Sequence, residues 1–209
     1  VLASPRPRLR GVVHRYAFYV ALAAGGVLVA TAPAGARAAC SVYALLLAGM
    51  LGASALLHAA TWPQRTFEWL RRTDHAAIFL CIAGTYTPFS LLGLRGDDGL
   101  RLLALAWGAN MLGVVRALAW PHAPRAITSV CYVAAGWVLL AYMPELRAAV
   151  DPTTFSLILA GGVVFTLGAL IYLARWPNPA PRVFGYHELF HSMVVVGCAC
   201  HFAAVVRLA

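Results

Sequence analysis

Residues 153–174 read TTFSLILAGGVVFTLGALIYLA, a run with no charged side chain and no period-2 alternation. A stretch of about 20 such residues is what an α-helix needs to cross the hydrocarbon of a bilayer. An outer-membrane barrel would instead show segments of about ten residues with alternating apolar and polar positions. The run therefore predicts a membrane-spanning helix, and the question is how many others accompany it.

Composition extends the reading to the whole chain. Of 209 residues, 62% are hydrophobic and only 11% charged, and the mean hydropathy is +0.77, far above a soluble domain. Comparable stretches lie at Val12 to Ala30, Ala39 to Ala60, Asp74 to Leu94, Leu100 to Leu118, Ala126 to Met143 and Gly185 to Val206. The expected fold is an all-α integral-membrane bundle of seven transmembrane helices. Residues 1–11 form a cytoplasmic tail and residues 12–207 a single domain. The proline-broken VLASPRPRLR is too short for a helix, and the first span lacks a small-residue cleavage site, so it reads as an anchor and not as a signal peptide.

The formal charge of +9 does not indicate nucleic-acid binding, because the basic residues are all arginines placed at span ends and not along one face. Arg6, Arg8, Arg10, Arg15, Arg65, Arg71, Arg72, Arg116, Arg125, Arg175 and Arg182 fall on one side. Arg37, Arg95, Arg101, Arg147 and Arg207 fall on the other, with Asp97, Asp98, Glu145 and Asp151. The positive-inside rule then puts the N-terminus in the cytoplasm and the C-terminus outside. Five cysteines, all within spans, read as small apolar residues and not as a disulfide framework. No repeat of 20 to 50 residues is apparent, which argues against an inverted-repeat transporter or a solenoid.

Ionisable groups within membrane spans are costly and need a partner or a task. They are His58 near the end of the second span, Asp74 and His75 opening the third, His187, Glu188 and His191 early in the seventh, and His201 late in it. Given the alternation of spans, the first six share the cytoplasmic leaflet. Within GYHELFHSMV, residues 185–194, the letters HELFH match the HExxH pattern of zinc proteases. Histidines four apart lie on one helix face, so His187 and His191 can present two imidazoles to one ion, and His58 supplies a third. Three histidines with an open fourth position is the arrangement of catalytic zinc, whereas structural zinc takes four protein ligands. Asp74 can then hold the metal's water or act as its base, and Ser54, one turn before His58, can steady the site or an oxyanion.

Other polar residues read more plainly. His75 points about 100° from Asp74 and belongs at the membrane interface, as do His14 and His122 beside arginines at span ends. Cys198, Cys200 and His201 imitate a ligand cluster, but residues two apart on a helix face nearly opposite ways. A membrane metalloprotease also needs an acidic third ligand on another helix, and the only Asp-Gly pair, Asp98–Gly99, lies in a loop on the opposite side. Haem would be crowded by two histidines four apart on one face, and a transporter would want broken helices with polar midplane residues.

The segments SALLHAATW (54–62), RRTDHAAIFLCIAGTYTPF (71–89) and GYHELFHSMVVVGCACHF (185–202), with RGVVHRYAF (10–18) as a weaker signal, resemble the hemolysin III proteins, relatives of the progestin and adipoQ receptors. The resemblance covers nearly the whole chain. It implies a seven-helix membrane fold in the bacterial plasma membrane with the N-terminus inside and a Zn2+ site near the cytoplasmic face. The family's zinc histidines fall on His58, His187 and His191, its aspartate on Asp74 and its serine on Ser54. The family is grouped with alkaline ceramidases, which implies hydrolysis of a lipid amide or related acyl substrate. Its name comes from a cytolytic activity attributed to some bacterial members. Relatives often carry glutamine where Glu188 stands, so the glutamate is compatible with the family without being its required base. A non-enzymatic receptor-like or cytolytic protein, with zinc clamping the second and seventh helices, is the alternative reading.

Overall fold

The computed structural model describes residues 7–209. Its helices are α1 (Val12–Thr31), α2 (Ala34–Ala59), α3 (Gln64–Leu91), α4 (Asp97–Ala119), α5 (Arg125–Gly136), α6 (Met143–Ala149), α7 (Pro152–Ala174) and α8 (Tyr186–Leu208), with a 3-10 turn over Val138–Tyr142 joining α5 to α6. Six segments are long and apolar enough to cross a membrane: Val12–Thr31, Ala34–Ala59, Asp97–Ala119, Arg125–Ala149, Pro152–Ala174 and Tyr186–Leu208. Their outward faces carry exposed apolar side chains such as Val20, Val27, Leu45, Leu112, Val115 and Leu170, a surface suited to lipid.

The expectation of seven comparable apolar spans needs adjusting at α3. At 28 residues it is about 42 Å long, but it falls outside the apolar six. It begins ten residues ahead of the expected Asp74, because QRTFEWLRRT continues the helical pattern after Pro63. The polarity is tolerated because α3 is the central helix, packed against α2, α4, α5 and α8. Asp74, Thr85, Thr87 and Ser90 on it are all buried. Thr85 and Thr87 donate their hydroxyls back to Cys81 and Ala83 carbonyls at 2.8 and 3.1 Å.

The fifth span, expected as one continuous helix over Ala126 to Met143, is also different. It breaks at Trp137, and a single side chain repairs the break. The Tyr86 hydroxyl donates to Gly136 O at 2.7 Å and accepts from Leu139 N–H at 2.9 Å, so one O–H satisfies two backbone groups freed by the break.

Consecutive spans, with α5 and α6 counted as one, run antiparallel, giving the bundle two ends. At the near end α1, α3, α5 and α8 begin. Arg72 donates to the Leu118 carbonyl at the close of α4, and Arg71 meets His122 at 2.7 Å. At the far end α7 begins, with Asp151 as its N-cap. That carboxylate accepts from the Thr153 and Thr154 N–H groups at 3.0 and 3.2 Å, satisfying donors a helix start leaves open. Helices α1 and α2 approach closely at Gly25, where a Cβ would stand 2.9 Å from that of Ala44. Small residues at contact points are the usual means of packing helices in lipid.

Candidate metal centre

Two helices bring the histidines together at the near end. His58 sits in the last turn of α2, and His187 and His191 lie one turn apart at the start of α8. The donor nitrogens of the three converge within 4.8 Å of one another, and they are the one such group of metal donors among the described residues. The Nε2 atoms of His58 and His187 are 3.4 Å apart. Two nitrogens each about 2.0–2.1 Å from a tetrahedral ion stand about 3.3 Å apart, so this pair already has the spacing of two ligands on one metal. His191 completes the triangle, with ring centroids 4.5 Å from His187 and 5.2 Å from His58. A triad of this kind could hold a metal ion.

Asp74 and Ser54 meet across the α2–α3 contact. Both are buried and line the same cavity as the triad, with the Ser54 hydroxyl directed to the Asp74 carboxyl. Asp74 is not in the convergent group. Its carboxylate, fixed by Ser54, belongs to the cavity wall at one remove from the three nitrogens. The cavity has a volume of about 190 Å³ and runs from this cluster past Tyr43, Cys81 and Phe89 to His201. Apart from its histidine end, it is walled mainly by apolar side chains.

Glu188, the central letter of the protease-like motif, is occupied otherwise. Its side chain is 1% exposed and pairs with Arg10 Nε at 2.6 Å. Its other oxygen accepts the Gly185 N–H at 2.9 Å, closing the first turn of α8. The glutamate therefore positions the helix that carries two of the three histidines. Arg10 belongs to a short strap on the near face, where Arg8 N and Leu9 N donate to the carbonyls of Arg182 and Val183 at 3.1 Å each. Gly11 follows in the left-handed region at φ 76°, and a Cβ there would lie 2.6 Å from that of His58. Glycine meets both the backbone and the space requirement. Of the expected tail, residues 1–6, Arg6 included, lie outside the described residues.

The remaining histidines divide three ways. His122 is exposed on Arg71, in keeping with an interfacial place. His75 is half-buried and lines the cavity instead of facing the interface. His201 donates to Ile158 O at 3.1 Å between the rings of Phe89 and Phe165, and is satisfied as a packed residue. Cys198 is buried beside Cys81 of α3 and takes no part in a donor cluster with His201.

His14 corrects the sequence reading outright. Expected at the membrane interface, it is 3% exposed, with its ring stacked on His191 at 3.9 Å and 16°. The adjacent arginine misled: Arg15 turns outward over Tyr16. The depth argument that selected the other residues would have found it, since His14 is the third residue of α1 and His187 the second of α8, at the same end.

Comparison with known proteins places this geometry in context. The family described as "Haemolysin-III related" matches residues 3–202. The chain is 32% identical over 152 residues to the hemolysin-3 homolog of Bacillus subtilis (strain 168), covering 73% of this chain and 68% of that protein. It is 33% identical over 174 residues to hemolysin-3 of Bacillus cereus, covering 82% of this chain and 75% of that one.

Proposed function

The chain belongs to the haemolysin-III related family, and we propose that this member is an integral-membrane, zinc-dependent hydrolase of a lipid amide of ceramide type or a related acyl substrate. In this reading it resides in the bacterial cell membrane, α3 is the seventh crossing, and the arginine-rich near end faces the cytoplasm. Catalysis then takes place in the cytoplasmic leaflet. The observation that carries the proposal is the convergence of three imidazoles beside a buried Asp74–Ser54 pair in one apolar cavity.

The donor set suits zinc, being three neutral nitrogens without a fourth protein ligand among the convergent atoms. Zinc bound there would supply Lewis acidity toward a carbonyl and a water acidic enough to attack it near neutral pH. The chain's own residues do the rest. Asp74 takes the proton from the attacking water and delivers it to the leaving amine. Ser54 holds the carboxylate in one orientation. The apolar walls receive the acyl chain and keep bulk water from the cleft.

Zinc content and turnover of a short-chain ceramide by the purified protein test the reading together. Asp74→Asn is expected to lower turnover by about 10²–10⁴-fold with zinc and melting temperature retained. Unchanged turnover in that variant would sink the assignment of Asp74. A wild-type protein with full zinc and no lipid hydrolysis would leave the second reading, a metal clamp in a receptor-like or cytolytic protein. One observation favours that alternative: the triad ties α2 to α8 across the bundle, reinforced on the same pair of helices by Tyr43 and Phe202, 6.1 Å apart.

A further inference from the structure

Among the buried polar side chains of the near end, His14 stands out because both of its ring nitrogens lack a partner. Its ring is 3% exposed, yet neither Nδ1 nor Nε2 makes a hydrogen bond of normal geometry within the protein. A neutral imidazole always presents one N–H donor and one lone pair. Buried groups of that kind are nearly always matched, and an unmatched one calls for a specific partner. A packing role alone would be filled better by phenylalanine, which stacks as well and hides no polar atom.

The position narrows the partner. His14 lines the same cavity as Ser54, His58, Asp74, His187 and His191. It stacks nearly parallel on His191, but its nitrogens do not join the convergent donor group. It is therefore not a fourth metal ligand. The parallel stack sets the His14 ring against that of His191, beside the place where a molecule bound to the triad would lie.

We propose that His14 is a ligand-recognition residue: its ring N–H donates to the oxygen of an acyl compound, carbonyl or hydroxamate in class, held next to the three histidines. The inference rests on the metal reading above and adds to it the group that grips the ligand from the α1 side. Four helices then contribute to the site, α1 supplying the contact to the ligand and not to the metal.

The test uses the full chain, purified in detergent and loaded with Co2+, whose visible absorption reports both metal binding and an incoming ligand. Acetohydroxamic acid is titrated into wild type, His14→Phe and His14→Gln. All three are expected to hold the same equivalents of cobalt. His14→Phe, which keeps the stack and loses the nitrogens, should bind the hydroxamate about tenfold more weakly, the effect of one lost hydrogen bond. His14→Gln, which retains a donor, should stay within about threefold of wild type, since the hydrogen bond is kept. Equal hydroxamate affinity in His14→Phe and wild type overturns the proposal, as does loss of cobalt from both variants, which would make His14 part of the metal shell. Should His14→Phe fail to fold, His14→Leu takes its place, and collapse of both assigns the nitrogens to folding and likewise overturns it. A wild-type chain that takes up neither cobalt nor zinc refutes the metal reading instead.

Discussion

The two ends of the bundle treat their polar groups in opposite ways. At the far end, Asp151 accepts from two backbone N–H groups, from the Thr154 hydroxyl and from Arg207 at 2.8 Å. Arg101 lies between Asp97 and Asp98 in exposed pairs at 3.8 and 3.6 Å. These donors and acceptors are matched within the chain, in contact with solvent. At the near end, His14, Ser54, Asp74 and His191 are buried, and with His58 and His187 they crowd a single cavity. Polar groups that have found one another make a helix end or an interface. Polar groups buried with capacity left over make a site, because burial without a partner is stable only when a further component completes it.

The sharpest way to break that contrast is to remove the unmatched nitrogens. His187→Ala combined with His191→Ala is expected to abolish stoichiometric zinc, a larger loss than the about 10–100-fold cost of removing an outer partner of a metal ligand. Turnover should vanish with it while circular dichroism still reports a helical bundle. Metal analysis showing zinc undiminished in the double variant would mean that the near end is no more a site than the far end.

The next largest effect comes from the buried ion pair of the near end. Glu188→Ala leaves Arg10 without its counter-charge and Gly185 N–H without its acceptor. Breaking a buried pair from one side costs about 3–5 kcal/mol, and here the carboxylate is buried while the guanidinium is 22% exposed, which favours the lower end. The melting temperature should fall, and the Arg10→Ala, Glu188→Ala double variant should lose less than the sum of the single changes. Strict additivity would show that the two side chains do not support one another.

Asp151→Asn probes the far end and should do least. The Thr154 hydroxyl, with Arg207 next, holds the Asp151 carboxyl down to about 2. A depressed folded-state value means that the carboxylate stabilises fully above its unfolded value, about 4, and that this contribution fades as the pH falls from about 4 to about 2. Because the group is exposed, solvent screens most of it. Melting curves of wild type and Asp151→Asn should differ slightly at pH 6 and converge near pH 2. A gap that persists at pH 2 would place the effect in the asparagine's geometry and not in the lost charge.

Much of this architecture is written in local pattern. Runs such as 153–174 declare their own helices, and arginines at alternate span ends declare two ends. His58, His187 and His191 were legible because depth and the four-residue spacing act within single helices, and these carry over into three dimensions almost unchanged. Asp74 followed from the same depth argument, and Ser54 from its place one turn before His58. What stayed hidden depends on contacts between distant segments. The polar α3 is possible only because four helices surround it. The break after α5 is possible only because Tyr86, fifty residues earlier, reaches Gly136. His14 looked interfacial because its neighbour Arg15 is, and only the packing of α1 against α8 turns the two in opposite directions. Glu188 completed a familiar motif in sequence, but its role was decided by Arg10, which no spacing rule connects to it.

His58 and His187 are separated by 129 positions in the chain, and that distance has a consequence for biogenesis. During synthesis α2 emerges well before α8, so the ring of α2 waits through the insertion of every intervening helix before its companions arrive. A chain halted before α8 would lack two of the three imidazoles, the carboxylate that secures Arg10 and one wall of the cavity, all at once. Completion of the centre therefore waits on α8, and a quality-control protease that sampled the nascent protein before then would meet an open strap and an unfinished cleft.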